Sequence, residues 1–352
     1  MKEIAIIGGG LAGLSAAWSL TRQGRDPVVF EKSRGLSGRA ASRSRGDVRF
    51  DHGANFFKLD DPVVDELVRT KLSTKDLVEI PGDVWTFDGS GSISEGDQEQ
   101  NAEPKWTYRQ GISQLGKLLV AASGVEVKRQ TRVARMELAD GKWTLWDTDG
   151  GELGNFKQVL LAAPGPQCRE IIEASAMDAS VKAGLLEGLG HSQFHRQYSF
   201  ILGYERALDR SRPFHALVSS QRDHPVAWLS FEEDKPGHLP EGQGALVVQM
   251  SSDWTDLRLE VDREALLEEV LHEVGLLLGD EFRRPDWWDS QRWMLALPAA
   301  PADAVALRVG QGSNLFFAGD SLVGRGRVPL AMASGLEAAE CMLRQQNPMS
   351  AG

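Results

Sequence analysis

The chain of 352 residues has almost no cysteine, only Cys168 and Cys341, far apart and without metal or redox spacing around either. That excludes a disulfide framework and fits a reducing, cytoplasmic setting. Long apolar runs are missing too. No stretch approaches the ~20 residues that cross a bilayer, and the first apolar run reads as a strand rather than a signal peptide. No membrane partner is expected. Positive charge is in deficit, with 39 Lys and Arg against 50 Asp and Glu and a net charge of −11. A nucleic-acid partner is therefore not expected either. The seven histidines carry no metal-ligand spacing, and no Ser/His/Asp or Cys/His arrangement is visible, so no metal is expected. What is present is ordinary for a globular protein, 41% hydrophobic and 25% charged, with length for about two domains.

The rest is organised around Ile4 to Glu31. Ile4-Ala5-Ile6-Ile7 is short and apolar, as a strand buried on both faces should be. Gly8-Gly9-Gly10-Leu11-Ala12-Gly13 then opens a helix with Leu14, Ala17, Trp18 and Leu20 on one face. Pro27-Val28-Val29-Phe30 is the next strand, closed by Glu31. In this setting Gly8 permits the turn, Gly10 lets backbone approach a pyrophosphate, and Gly13 lets helix and strand pack closely. The phosphates meet the positive end of the helix. Glu31 is placed for ribose hydroxyls. The motif predicts a bound dinucleotide.

Beyond Glu31, a basic loop Lys32-Ser33-Arg34-Gly35-Leu36-Ser37-Gly38-Arg39 precedes Asp51-His52-Gly53-Ala54-Asn55-Phe56-Phe57. Pro62 to Leu77 reads as a helix, and Val84 to Phe87 as a strand turning at Asp88-Gly89. Residues 90–105 read as a polar loop. A helix is expected from Gly111 to Ala122, and strands at 125–127, 131–138, 143–146 and 159–163, the last two joined at Asp149-Gly150. Pro164-Gly165-Pro166 reads as a stop. From about Cys168, alternating segments at 198–204, 227–231 and 245–250 predict an antiparallel sheet. Leu267, Leu271, Val274 and Leu278 mark an amphipathic helix. Asn314 to Asp320 returns to a buried strand, and Pro329 suits the first turn of a last helix. The expected division is a discontinuous nucleotide domain at 1–80, 107–168 and 290–346, with a substrate domain at 81–106 and 169–289.

The strand, the Gly-x-Gly-x-x-Gly turn, Glu31, Gly35 to Arg39 and Asp51 to Ala54, in that order, resemble the FAD-binding fold of the amine oxidase superfamily. Across the chain the similarity is to its renalase branch, on Lys32-Ser33-Arg34-Gly35, Asp51 to Phe57, Gln291-Arg292-Trp293 and Ala318-Gly319-Asp320 with Gly324-Arg325. The resemblance implies an α/β fold, a Rossmann-type domain with an inserted antiparallel-sheet domain, and non-covalent FAD. It implies that Gly8, Gly10, Leu11, Ala12, Gly13, Glu31, Lys32 and Gly38 hold the nucleotide, with Arg39 near the pyrophosphate and the Val133 backbone at the adenine. Gly53, Ala54, Asn55 and Phe56 then lie beside the isoalloxazine, Asp320 (after Gly319) at the ribityl chain, and Val328 at the helix facing the flavin. Trp293 matches an aromatic of the substrate pocket. Two positions depart from the branch. Phe56 stands where a Tyr is common and Gln249 where some members carry His, and both changes remove polar or titratable groups.

The resemblance implies an oxidase that takes hydride from a reduced NAD(P) isomer and passes electrons to O2, with Phe56, Gln249 and Trp293 lining the flavin face. An amine oxidase or desaturase of the same fold is the alternative, and a non-catalytic binding protein the third. Of the tryptophans, Trp228, Trp254, Trp287 and Trp288 are candidates to wall the pocket.

Overall fold

A computed structural model describes residues 2–209, 212–221 and 224–346. Ile4–Ile7 and Pro27–Phe30 are wholly buried strands, as their unbroken apolar character requires. They pair in parallel and form the centre of a five-stranded sheet. Gln158–Leu161 joins on one side and Glu126–Lys128 on the other, while Leu315–Phe317 closes the edge beyond Gln158–Leu161. The helix Leu11–Arg22 runs from the glycine turn and buries Leu14, Ala17 and Leu20. The last helix, Val328–Gln346, packs against it.

A second, seven-stranded sheet contains Gln193–Tyr204, Val226–Phe231 and Gly244–Met250, the three expected antiparallel segments. Trp287–Ala300 pairs along nearly the whole of Gln193–Tyr204. The expected boundary at 289/290 therefore falls inside one strand, which carries the second sheet back to the first. At the far edge, Phe214–Ser219 pairs in parallel with Asp83–Phe87. The helices Gly165–Ala174 and Ala179–Gly190 place Ile171, Ile172, Leu185 and Leu189 in the core below the nucleotide sheet. The change of layer thus comes near 191 rather than at 169.

Several local expectations need correction. The helix at Pro62 ends at Lys71 through a π-turn, because Leu72 turns into the core. Residues 90–105 hold a short strand, Ile93–Ser94, and a helix, Gln98–Ala102, capped by Asp97. Between the strands joined at Asp149-Gly150 lies a third, Glu152–Phe156, pairing with Lys142–Asp147. Pro164 precedes a helix instead of a stop, since a proline is tolerated at its start. The helix Arg263–Leu278 buries Leu266, Val270, Val274 and Leu277, one position round from the expected stripe except at Val274.

Candidate active site

One continuous cavity of about 1650 Å³ runs from the glycine turn to the second sheet. It exceeds the roughly 300–1,000 Å³ of a site for a drug-sized ligand. Its nucleotide end forms where the first strand turns into the first helix. Gly8 makes that turn at φ +118°, and a side chain on Gly13 would overlap the Gly8 carbonyl beneath the cavity. Of the expected cofactor-binding residues, Gly13 alone does not line the cavity. A β-carbon on Gly10 would meet nothing within 4 Å, and no side chain caps the helix there. The uncapped N–H groups of the first turn thus open onto the cavity, which fits an anionic pyrophosphate.

Glu31 is buried and accepts hydrogen bonds at 2.7 Å from the N–H of Gly9 and of Ser33. Each oxygen retains a second lone pair for a ribose hydroxyl. Lys32, Gly38 and Val133 line the same end. Lys32 sits below the ordinary lysine range, through partial burial and then through the charge of Arg132. Farther in, Arg39 donates to Asp320 at 2.7 Å and to the Ala296 carbonyl at 3.2 Å. The pair ties the loop after the second strand to the start of the short helix Asp320–Val323, with Asp320 only 6% exposed. Gly319 and Val328 line the cavity beside it. No sequence pattern announces this contact, because the partners are 281 positions apart.

The end of the cavity toward the second sheet is built on Gly53. Its carbonyl accepts from Gln249 Nε2 at 2.7 Å and from Asn55 Nδ2 at 3.3 Å. Ala54 donates its N–H to the Arg39 carbonyl at 2.9 Å. The Trp293 indole donates to the His52 carbonyl at 3.0 Å and stacks on the His52 ring with centroids 5.4 Å apart. Phe56 meets Trp228 at 5.9 Å. Phe56, Gln249 and Trp293 all line the cavity, and so does Trp228. Trp254 and Trp288 pack in the core beneath the second sheet and Trp287 in a smaller cluster, so none of the three walls the site. Gln197, which pairs across the strands with Trp293, also lines it, one position before the segment that the sequence marks as a strand. Its signal was the alternation of that strand. Burial, and then the charge of Arg43, hold the His52 imidazole down to about 4. His52 is therefore neutral near pH 7.

Residues 6–70 match an NAD(P)-binding Rossmann-like domain and residues 87–343 the flavin containing amine oxidoreductases. A 1-hydroxycarotenoid 3,4-desaturase of Flavobacterium sp. is 42% identical over 67 residues, which are 19% of this chain and 14% of that relative. The match thus spans about a seventh of that relative's length. Cyclohexylamine oxidase from Brevibacterium oxydans has the same fold, with a TM-score of 0.77 at 14% identity over 98% of this chain and 99% of that one. So does a reduced UDP-galactopyranose mutase, at 0.77 and 11% identity over 97% and 96%. Among the described residues no helix is long and apolar enough to cross a membrane. The chain belongs to the flavin containing amine oxidoreductase family and is an FAD-dependent oxidoreductase.

Proposed function

We propose that this enzyme is an oxidase of the renalase type, which takes hydride from a small reduced substrate, a reduced NAD(P) isomer, and returns the electrons to O2. The observation that carries the reading is the wall around Gly53. Phe56, Trp228, Trp293 and Gln249 contain no group that accepts a proton near neutral pH, and Gln249 Nε2 is already committed to the Gly53 carbonyl. Bound FAD supplies the two-electron acceptor chemistry. A donor that leaves as an aromatic nicotinamidium has no proton to give up. The wall then needs only to align the substrate and exclude water. Arg292, Arg325 and Arg327 line the same cavity and offer cationic partners for the phosphates of a nucleotide.

A second reading, oxidation of an amine or desaturation of a lipophilic ring compound, is favoured by Met294 and Leu297. Both line the cavity yet are 46% and 41% exposed, an apolar approach to the site. The two readings separate on proton chemistry, because an amine must lose a proton before or during oxidation. The test is anaerobic mixing of the purified enzyme with candidate reductants, followed by loss of the visible flavin absorbance. Rapid bleaching by aged or borohydride-treated NADH is expected, but not by pure NADH or amines. Its rate is expected to stay flat from about pH 6 to about pH 9. A steep rise with pH and bleaching by amines alone would move the assignment to amine oxidation.

A further inference from the structure

Behind the Gly53 wall, outside the cavity, lie four ionisable side chains with no solvent exposure at all: Asp51, Glu232, Lys235 and His238. Asp51 ends the strand Val48–Asp51, on the nucleotide side. Glu232, Lys235 and His238 follow the strand Val226–Phe231, on the substrate side. Lys235 Nζ lies 2.6 Å from Glu232 Oε1 and 3.2 Å from Asp51 Oδ2. Asp51 also accepts from Ser42 Oγ at 2.7 Å, the Ile112 N–H at 2.9 Å and Thr107 Oγ1 at 3.2 Å. Its own N–H donates to Glu232 Oε2 at 3.0 Å. Oxygen and nitrogen atoms of Asp51, Glu232 and His238 lie within 4.8 Å of one another, as around a metal. Here the Lys235 ammonium already bridges both carboxylates.

His238 decides the charge count. Its Nε2 is 3.0 Å from the Tyr108 carbonyl and its Nδ1 is 3.0 Å from Glu232 Oε2. A carbonyl only accepts, so Nε2 must carry a proton. Glu232 Oε2 already accepts the Asp51 N–H, and its Oε1 lies 2.6 Å from the Lys235 ammonium, so the carboxylate faces Nδ1 as an acceptor. The Nδ1 contact then needs a second ring proton. His52 lies in the field of Arg43, Asp51, Asp289 and Glu232, and His215 lies beside Asp234 in the field of Lys235 and Glu232. Burial holds both of these imidazoles below their ordinary range, so neither supplies the missing positive charge.

We propose that His238 is an imidazolium, that it makes the buried quartet electrically neutral, and that Lys235 and His238 are positioning residues for His52, Gly53 and Ala54. The segment leaves Asp51 directly, and its carbonyls at 52 and 53 are the ones that receive Trp293 and Gln249. A quartet that bridges both halves therefore sets where the flavin-facing backbone stands relative to the substrate sheet. The inference goes beyond the proposed reaction, since it holds whichever substrate the cavity takes.

The charge state is read in the intact holoenzyme by nitrogen-15 NMR of labelled histidine, with assignment by His238→Gln. Two protonated ring nitrogens at neutral pH are expected, and a single one would overturn the charge assignment. Positioning is read by charge rescue. Lys235→Met leaves one uncompensated buried negative charge and is expected to weaken FAD retention about tenfold or more and to alter the flavin's visible circular dichroism. Asp51→Asn with Lys235→Met restores neutrality and is expected to recover both signals. If Lys235→Met does not fold, recovery in the double variant alone supports the proposal. A double variant at least as impaired as the single one would overturn the positioning role.

Discussion

Ser37 sits at φ +76° and is 2% exposed, in the loop that follows Glu31. A left-handed conformation costs a non-glycine residue roughly 1–2 kcal/mol. Its Oγ offsets this by donating to the Ser113 carbonyl at 2.9 Å. Ser37→Ala keeps the strain and loses the bond, whereas Ser37→Gly loses the bond and relieves the strain. Chemical unfolding is expected to find the alanine variant less stable than the glycine variant by about 1 kcal/mol, the reverse of the usual order. At Glu31, replacement by Ala removes the acceptor for two backbone N–H groups and for the ribose hydroxyl we assign to it. FAD affinity is expected to fall by roughly 1.5–3 kcal/mol in titrations of apoprotein, and unchanged affinity would remove the ribose assignment. His52 gives a pH prediction. The unfolded chain takes up a proton at about 6.5, while the folded one resists until about 4. The contribution of His52 is thus complete above pH 6.5 and is lost as pH falls toward 4. Relative to His52→Phe, which keeps the stack on Trp293, the native protein is expected to lose about 3 kcal/mol across that window. A constant difference between the two proteins would refute the claim. The glycine turn and Glu31 were legible because their chemistry is local. The strain at Ser37 and the shielding of His52 come from residues far along the chain.

At the scale of elements, legibility followed the strength of the local pattern. The Leu11–Arg22 helix was announced by its glycine turn and apolar face. The Arg263–Leu278 helix was announced too, but adjacent leucines at 266/267 and 277/278 left its buried face one position ambiguous, and only packing chose. The parallel pairing of Phe214–Ser219 with Asp83–Phe87 had no signal, since nothing local ties segments so far apart. The same holds for the contact between first and last helices. There a side chain on Gly335 would overlap the Ala12 carbonyl, directly under the nucleotide end of the cavity. Gly335→Ala is therefore expected to force the two helices apart at a cost of about 1–3 kcal/mol. Thermal unfolding and the flavin content of purified protein measure it. Undiminished stability and full occupancy would mean that the helices yield without disturbing the cradle.

For the molecule as a whole, the expected architecture of a nucleotide fold interrupted by an antiparallel sheet matches the observed sheets, while its seams lie elsewhere. Trp287–Ala300 belongs to the second sheet and yet delivers Ala296 to Arg39, in the loop after the second strand of the first. Composition changes gradually along such a strand, so no break in sequence marks the passage. The order of strands in the first sheet has a further consequence for synthesis. Its edge strand Leu315–Phe317, the Asp320 partner of Arg39 and the helix against Leu11–Arg22 are all made last. A nascent chain on the ribosome therefore holds Ile4–Glu31 with only the strands Glu126–Lys128 and Gln158–Leu161 beside it until residues 315–346 have emerged, a non-local closure of the kind that folds slowly. Chains released before Leu315 are expected to be isolated without flavin, a prediction that absorbance of translation-arrested products checks directly. Capture of the yellow cofactor then reports that the ribosome has read past Leu315, and chains that stop short of it stay colourless.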